Sequence, residues 1–401
     1  MAKVTFCWEL GGGYGHLASF KPVADCLVKR QHTVSALLRT CQYADKFFDA
    51  ESIQYSSAPI WHSVKQSTSP TISYADIIAR QGYHSTSSLL ALVKQWCDKL
   101  QAYETELLIV DHSPTALIAA KILNLPSTLF GTGFVSPPSV SPLPAIVPWL
   151  NPDPAFIKKI EDDVLAVINK VLQHFNCEKL NHLYELFAVE EDFLCTLPEL
   201  DHYDKRAADA YWGPVFYATS GVDAHWPEKT SLNKNRCRVF VYTNAEYKFV
   251  HKMFKSLKSI DADFLIHCAG LTEEELIPYK SNNVVFSIDP VKISSIANKA
   301  DLVICHAGHG MVSAILLMGI PLLLIPTQLE QCILANKLSN FRIAGLVDIR
   351  DNAPDFITAI NSSLNNAEYK QQASRFAEFY KGFNQNEQLE EIVFACEDIL
   401  S

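Results

Sequence analysis

The sequence predicts an α/β protein with two domains, each built on a doubly wound parallel sheet. Its 401 residues are enough for two domains of roughly 200 residues each. In both halves, short continuous apolar runs alternate with segments of helical periodicity. That alternation is typical of parallel strands buried on both faces and of the helices that cover them. It stops once, in a polar stretch near the middle of the chain, and then starts again.

Four β-rich or apolar segments predict the strands of the first half: residues 3–10, 33–38, 107–110 and 127–130. Apolar residues recur at helical spacing over 17–27, and residues 116–123 form another predicted helix. Residues 135–154 contain seven prolines, which exclude a regular helix or a central strand. We therefore expect a long surface segment there, followed by a mostly helical stretch over 156–190.

The polar stretch after Tyr211-Trp-Gly-Pro214 predicts a linker over residues 216–235, between domains at 1–215 and 236–401. Five further runs predict the strands of the second domain: residues 238–242, 264–267, 284–288, 302–305 and 322–325. A final helix, over about 371–400, can cross back to the first domain. Because ligands of open α/β sheets bind beyond the carboxyl ends of strands, the turns there are the candidate sites.

Composition excludes some classes of function. A formal net charge of -10 argues against a nucleic-acid partner, although backbone amides can still form a local anion site. The eleven cysteines include no Cys-x-x-Cys pair, which argues against zinc ribbons and redox motifs. The longest apolar stretch, residues 314–326, is too short to span a bilayer. With no signal peptide before the first strand, we expect a cytoplasmic protein, with peripheral membrane contact left open.

The first candidate turn, Gly11-Gly-Gly-Tyr-Gly-His16, follows the first strand. Its glycines let the main chain turn sharply and approach a ligand closely. His16 is expected at the start of the next helix, facing the crevice at the strand ends. Gly13-x-Gly15-x-x-Ala18 also fits the dinucleotide-binding pattern, and Arg39 can meet a 2′-phosphate. An NADP-dependent oxidoreductase therefore remains an open alternative.

Asp111 ends another predicted strand and is expected at the same sheet edge as His16. A carboxylate that accepts the N–H of one imidazole nitrogen leaves the other nitrogen able to take a proton. The two residues therefore predict a general-base pair. The alternative is that Asp111 caps the following helix, and placement alone does not decide between them.

The second domain has a comparable turn, His306-Ala-Gly-His-Gly310, between a strand and the apolar helix predicted over 311–317. Glycines at the positive end of a helix expose backbone N–H groups, and a histidine can add a hydrogen bond to a phosphate oxygen. This predicts a diphosphate site, against the alternative of two histidines in an ordinary turn. Glu330 and Gln331 can bind adjacent sugar hydroxyls, although they also suit a first helical turn. Asp261 and Asp263, which precede a strand, are interpreted as surface residues rather than a metal site.

The order of these motifs resembles the UDP-glycosyltransferase superfamily. The residues that carry the resemblance are the glycine turn with His16, Asp111, Trp212-Gly-Pro214, His306-x-Gly-x-Gly310, Gly319-Ile-Pro321, Pro326 and Glu330-Gln331. The resemblance implies a GT-B fold, in which two Rossmann-like domains face each other across a cleft. It also implies that the first domain binds an acceptor and the second a nucleotide sugar. Transfer would be inverting, with no metal or cofactor besides the nucleotide-sugar co-substrate.

Under this resemblance, His16 matches the catalytic base and Asp111 the carboxylate that orients it. The donor site would comprise Thr243 near the donor, Ile288 beside the nucleobase, His306, Gly308, His309 and Gly310 around the diphosphate, and Glu330 and Gln331 on the sugar. The expected acceptor loops carry Gly13, Gly15 and Trp149. Met311 and Ala314 depart from the family pattern, where a hydroxyl residue and a ribose-binding glutamate are usual. The diphosphate is therefore better predicted than the base.

The sequence thus predicts a glycosyltransferase that moves a hexose-type sugar to a hydroxyl of a small or lipid-like acceptor. A UDP-sugar is favoured over a TDP-sugar as the donor. The aromatic residues Trp61 and Trp149 favour an apolar acceptor. Besides the oxidoreductase, a non-catalytic sugar-nucleotide-binding protein remains open, because Met311 and Ala314 weaken the donor pattern.

Overall fold

The structure is a computed structural model, and it describes residues 1–13, 15–62, 69–203, 206–217, 221–229, 231, 233–348 and 350–401. The chain forms two compact units. Unit 1 consists of Met1–Val215 together with Asn384–Ser401, and unit 2 of Phe216–Phe383.

Strands and helices alternate along most of the chain. The strands are β1 (Lys3–Trp8), β2 (Thr33–Leu38), β3 (Ile53–Ser57), β4 (Leu107–Asp111), β5 (Ser127–Gly131), β6 (Glu191–Leu194), β7 (Cys237–Asn244), β8 (Ala262–Ala269), β9 (Val284–Ser287), β10 (Leu302–Cys305), β11 (Leu322–Leu324) and β12 (Ala344–Leu346). The helices are α1 (Gly15–Lys29), α2 (Tyr74–Ile78), α3 (Thr86–Ala102), α4 (Pro114–Leu123), α5 (Pro154–His174), α6 (Val250–Leu257), α7 (Glu273–Leu276), α8 (His309–Leu317), α9 (Leu329–Asn340), α10 (Phe356–Leu364), α11 (Ala367–Phe379) and α12 (Gln385–Ile399).

The sheet of unit 1 has the strand order β3-β2-β1-β4-β5-β6, and all its pairs are parallel. Alternate residues of β1 point to opposite faces, as the pleat of a strand requires. Phe6 and Trp8 pack with α1 and α12, whereas Cys7 packs with the cluster formed by α2 to α5. The chain order reverses between β1 and β4, so the crevice of this sheet lies at the carboxyl ends of these two strands.

The sheet of unit 2 has the order β12-β11-β10-β7-β8-β9 and is also fully parallel. Counted along the chain within each unit, both sheets have the order 3-2-1-4-5-6 of Rossmann-type domains. In unit 2 the order reverses between β7 and β10. The predicted fold class, two doubly wound parallel sheets, is therefore confirmed.

The C-terminal segment differs from the single helix predicted over 371–400. It forms two helices, α11 in unit 2 and α12 in unit 1. The break lies at Gly382 and Asn384, and the side chain of Asn384 caps α12 by accepting from Asn386 N at 3.1 Å. Helix α12 is held on unit 1 by its apolar face and by ion pairs of Arg30 with Glu390 and Glu397.

Three further expectations are corrected by the structure. Within the proline-rich segment, Leu143, Ile146 and Val147 are buried, so this segment is only partly a surface loop. The helix expected over 156–190 ends at His174. Asp263 is fully buried because β8 begins one residue before it, and its carboxylate pairs with Lys229 at 2.8 Å.

The described part of the molecule contains neither a metal-binding cluster nor a membrane-spanning helix. There, no three His, Cys, Asp or Glu side chains are grouped so that they could hold a metal ion. Nor does any helix among the described residues have the length and apolar character needed to cross a membrane.

Candidate sites at the sheet switch points

In unit 1, His16 and Asp111 meet at the reversal of the strand order. His16 lies in the first turn of α1, which follows β1 after the glycine turn, and Asp111 is the last residue of the neighbouring strand β4. His16 Nδ1 and Asp111 Oδ2 are 2.7 Å apart, and both side chains are largely buried. The carboxylate can only accept, so it holds the proton on Nδ1 and makes Nε2 the basic nitrogen. The ring also stacks on Trp8, with 4.8 Å between ring centroids.

The glycine turn supplies the space in front of this pair. Gly11 has a left-handed φ of +82°, and a Cβ built on it would lie 2.9 Å from His16 Nε2. A side chain here would therefore collide with the basic nitrogen, which is why the position requires glycine. A Cβ on Gly12, Gly13 or Gly15 would meet no described atom within 4 Å. The turn is thus open on the side that a ligand would approach.

Glu9 is a buried residue of this region that the sequence analysis missed. Its carboxylate accepts hydrogen bonds from Thr115 N at 3.0 Å and from Thr115 Oγ1 at 2.6 Å. Since the side chain of Ser113, the N-cap of α4, makes no capping bond, Glu9 caps this helix from the residue after β1. Burial raises the pKa of Glu9 to about 7, against the lowering effect of the bonds from Thr115. The signal in the sequence was an acidic residue near the end of the apolar strand predicted over residues 3–10.

The capping by Glu9 also bears on two alternatives from the sequence. In the structure Asp111 bonds to His16, and the cap of α4 comes from Glu9. Arg39, considered for a 2′-phosphate, donates from Nη1 to the backbone oxygen of Glu9 at 2.8 Å. Its guanidinium thus has a structural partner at the end of β1.

In unit 2, His306 joins three strand ends. It is largely buried and directly follows β10. Its Nδ1 is 2.9 Å from the carbonyl oxygen of Ile325, after β11, and its Nε2 is 3.0 Å from Thr243 Oγ1, in β7. Because a carbonyl only accepts, Nδ1 carries the proton, and in the neutral ring Nε2 accepts from the Thr243 hydroxyl. Burial lowers the pKa of His306, against the raising effect of the bond to Ile325.

The turn after His306 leads directly into a helix. Ala307 has a left-handed φ of +62°, Gly308 is the N-cap, and α8 begins at His309, two residues earlier than predicted. His309 and Gly310 therefore lie in the first helical turn, whose N–H groups have no partner within the helix. A Cβ on Gly308 would meet no described atom within 4 Å. These amides and the helix dipole form a site suited to an anion.

The other predicted site residues are placed as follows. Glu330 and Gln331 are half-buried in the first turn of α9, and Gln331 Oε1 accepts from Thr327 N at 2.9 Å. The NH2 group of Gln331 is therefore the end that can donate to a ligand. Ile288 directly follows the edge strand β9 and is 49% exposed, and Trp149 is 46% exposed on unit 1. No contact described in the structure links Trp149 to the His16 region.

Comparisons with known proteins agree on fold and domain type. Residues 243–384 match the model of the glycosyltransferase family 28 C-terminal domain. No curated protein sequence matches the chain significantly.

Several solved structures are similar over nearly the full length. The calicheamicin glycosyltransferase CalG4 has a TM-score of 0.71 at 15% identity, with 98% of each chain covered. The spinosyn rhamnosyltransferase SpnG has a TM-score of 0.66 at 15% identity, covering 98% of this chain and 100% of its own. The glycosyltransferase VinC, solved with dTDP, has a TM-score of 0.63 at 13% identity, covering 99% and 100%. The chain thus has the GT-B fold, and its residues 243–384 in unit 2 are similar to the glycosyltransferase family 28 C-terminal domain, in agreement with the resemblance to the UDP-glycosyltransferase superfamily.

Proposed function

We propose that the protein is an inverting glycosyltransferase that moves a hexose-type sugar from a nucleotide diphosphate sugar to an acceptor hydroxyl. The observation that carries this proposal is the 2.7 Å contact between His16 Nδ1 and Asp111 Oδ2 at the reversal of strand order in unit 1. It leaves the basic nitrogen Nε2 beside the glycine turn. The family 28 domain match and the GT-B fold support the same reaction class.

The proposed reaction is a single displacement. His16 Nε2 takes the proton of the acceptor hydroxyl, and the hydroxyl oxygen forms a bond to the anomeric carbon of the donor sugar. The bond from that carbon to the diphosphate oxygen breaks, and its electron pair leaves with the nucleoside diphosphate. Since attack and departure occur on opposite faces, the configuration inverts. Asp111 stabilises the imidazolium that forms on His16.

Unit 2 would bind the donor. We assign the diphosphate to the first-turn amides of α8, where negative charge grows as the leaving group departs. The neutral His306 accepts from the Thr243 hydroxyl through Nε2. Its role in diphosphate binding would therefore be indirect, because it holds this hydroxyl and the turn before α8 in place. A direct bond from Nε2 to phosphate needs a second proton on the ring. We assign the sugar hydroxyls to Glu330 and to the NH2 group of Gln331 in the first turn of α9.

We assign the nucleobase to the exposed face of Ile288. It follows β9, two strands from Thr243 in β7, so the two residues are roughly 10 Å apart by strand spacing. An isoleucine packs against either pyrimidine, so this site admits both UDP and TDP sugars. The sequence favours UDP, whereas VinC was solved with dTDP.

We propose a small apolar acceptor with at least one hydroxyl, since the similar structures include a spinosyn rhamnosyltransferase and the calicheamicin glycosyltransferase. The exposed Trp149 is an apolar surface of unit 1 that suits such a molecule.

A thermal-shift panel with UDP, TDP, their glucose derivatives and NADPH tests the donor class. We expect stabilisation by UDP or TDP and none by NADPH; the reverse result would contradict the proposal. His306→Ala should weaken binding of the stabilising nucleotide in calorimetry. His225→Ala, an exposed histidine of unit 2, is the matched control and should bind normally.

The catalytic base is tested by His16→Ala, with transfer from the stabilising sugar nucleotide to a panel of phenols and alcohols as the assay. We expect loss of transfer with unchanged nucleotide binding. His174→Ala, an exposed histidine of unit 1, should behave as the wild type. Near-normal turnover by His16→Ala would refute the role of His16 as base.

A further inference from the structure

A second imidazole borders the space in front of the catalytic pair. His112 directly follows Asp111, and a Cβ built on Gly11 would lie 3.2 Å from His112 Nδ1 and 2.9 Å from His16 Nε2. The two nitrogens therefore face the same side of the Gly11 main chain. The centroids of the two rings are 6.4 Å apart. Nothing in the reaction described so far uses His112.

The backbone of His112 is held in an unusual conformation. Its φ is +48°, in the left-handed region, which only a few per cent of residues other than glycine adopt. Its carbonyl oxygen accepts from Leu10 N at 2.9 Å, which ties this residue to the start of the glycine turn. The left-handed backbone and the bond to Leu10 therefore fix the position of this residue beside the glycine turn.

The surroundings of the ring determine which nitrogen carries the proton. Nε2 is buried with no hydrogen-bond partner among the described residues, and the ring lies against those of Tyr74 and Phe134. A buried unpaired N–H group is rarer in proteins than an unpaired acceptor, so the proton belongs on Nδ1, toward Gly11. Burial, followed by the nearby charges of His16 and Arg39, lowers the pKa of His112 well below its ordinary value. The ring is therefore a neutral donor beside the basic nitrogen of His16.

We propose that His112 binds the acceptor, by donating a hydrogen bond from Nδ1–H to the same hydroxyl oxygen that His16 deprotonates. This inference rests on the proposed glycosyl transfer. As the acceptor proton moves to His16 Nε2, negative charge grows on the oxygen, and the bond from His112 strengthens toward the transition state. The proton on Nδ1 stays in place throughout.

This role also indicates the class of acceptor. At neutral pH, negative charge on the oxygen of an aliphatic alcohol costs more free energy than on the oxygen of an acidic phenol, because the alcohol is the weaker acid. Stabilisation of that charge therefore matters most for alcohols. The carboxylate of Asp111 lies in the same region and would oppose this negative charge if the donor from His112 were absent. We infer that the acceptor hydroxyl is aliphatic rather than strongly acidic.

Two substitutions that tolerate a left-handed backbone test this proposal. His112→Asn keeps an N–H donor close to the position of Nδ1, whereas His112→Gly removes it. With benzyl alcohol as acceptor, we expect His112→Gly to lose transfer by about 100-fold, the usual effect of deleting one such donor. With 4-nitrophenol the loss should be several-fold at most, and His112→Asn should recover much of the alcohol activity. Equal losses with both acceptors, or an Asn variant as slow as the Gly variant, would overturn the role.

A second measurement does not depend on activity. In ¹⁵N-histidine-labelled wild-type protein, the signals missing from His112→Asn identify the ring of His112. We expect a neutral ring protonated on Nδ1 across pH 6 to 8. A proton on Nε2, or titration within that range, would refute the proposal. If the wild-type protein transfers no sugar at all, the proposed function fails, while this spectrum still decides the state of His112.

Discussion

Substitution of Glu9 by glutamine should change how the stability of unit 1 depends on pH. Glu9 is fully buried, and its pKa of about 7 compares with an ordinary value of 4.5. The folded protein thus binds this proton more tightly than the unfolded chain does. At about 1.4 kcal/mol for each pH unit, the difference corresponds to about 3 kcal/mol.

The direction follows from proton linkage. Below pH 4.5 both states hold the proton, and the stabilisation from Glu9 protonation is complete. As the pH rises toward 7, the unfolded chain has lost its proton while the folded state retains it, so the free energy of unfolding falls. Above pH 7 both states are ionised and no further loss occurs. A glutamine does not titrate, so Glu9→Gln removes this loss.

Urea denaturation at pH 5 and pH 8 measures the effect. Five of the six tryptophans lie in unit 1, so their fluorescence reports mainly on its unfolding. The glutamine loses one acceptor for the Thr115 donors, a cost that is the same at both pH values. Relative to wild type, Glu9→Gln should therefore gain about 2–3 kcal/mol between pH 5 and pH 8. Glu51→Gln, at an exposed position of unit 1, should show no such change. A difference between Glu9→Gln and wild type that stays constant with pH would refute this account of the buried carboxylate.

Three further substitutions test the two sites. Asp111→Asn keeps the shape of the side chain but removes its charge. Because a hydrogen bond to a charged group contributes about 1.5–3 kcal/mol, turnover should fall about 100-fold. The binding of TDP, measured by calorimetry, should be unchanged. Gly11→Ala places a methyl group 2.9 Å from His16 Nε2 on a left-handed backbone and should cost about 1–3 kcal/mol in urea denaturation, whereas Gly12→Ala should be nearly neutral. Thr243→Val leaves His306 Nε2 without its donor and should destabilise unit 2 by about 1–3 kcal/mol, measured by circular dichroism; an unchanged midpoint would contradict the assigned hydrogen bond.

The sequence predicted the buried strands of both sheets well, because a strand covered on both faces needs a continuous apolar run. The strands it missed are β3, β6 and β12, and each lies at an edge of its sheet. β3 and β6 are half-exposed, and β12 has only three residues, so none has a long apolar run. These segments are strands because they pair with a neighbouring strand of the sheet, and that pairing cannot be read from the local sequence.

The candidate site residues were located by one rule, that turns at the carboxyl ends of parallel strands bind ligands. That rule identified His16, Asp111 and His306, because position along the chain already places them at strand ends. It did not identify Glu9 or His112, although both also follow strands. Their importance depends on what surrounds them, a helix terminus for one and the glycine turn for the other, and such contacts join segments about a hundred residues apart.

The two units place their polar pairs in the same way. In unit 1, His16 follows β1 and bonds to Asp111 at the end of β4; in unit 2, Thr243 near the end of β7 bonds to His306 after β10. Each bond therefore crosses between the two strands where the chain order reverses. The segments that follow these two strands leave toward opposite faces of the sheet. No helix therefore covers the crevice between the strand ends, and polar side chains can meet there.

The backbone that follows each pair also has the same conformation in the two units, and this conformation sets where the next helix begins. Asp111-His-Ser113 and His306-Ala-Gly308 each consist of a site residue, a left-handed residue and the N-cap of a helix. The left-handed residue reverses the chain abruptly, so that the helix starts immediately beyond the strand end. The same geometry serves different chemistry, because in unit 1 the helix terminus is capped by buried Glu9, whereas in unit 2 the N-cap is a glycine that makes no side-chain bond. A terminus capped by a carboxylate disfavours an anion, whereas a glycine N-cap adds no negative charge, and this difference supports the proposal of proton transfer in unit 1 and of diphosphate binding in unit 2.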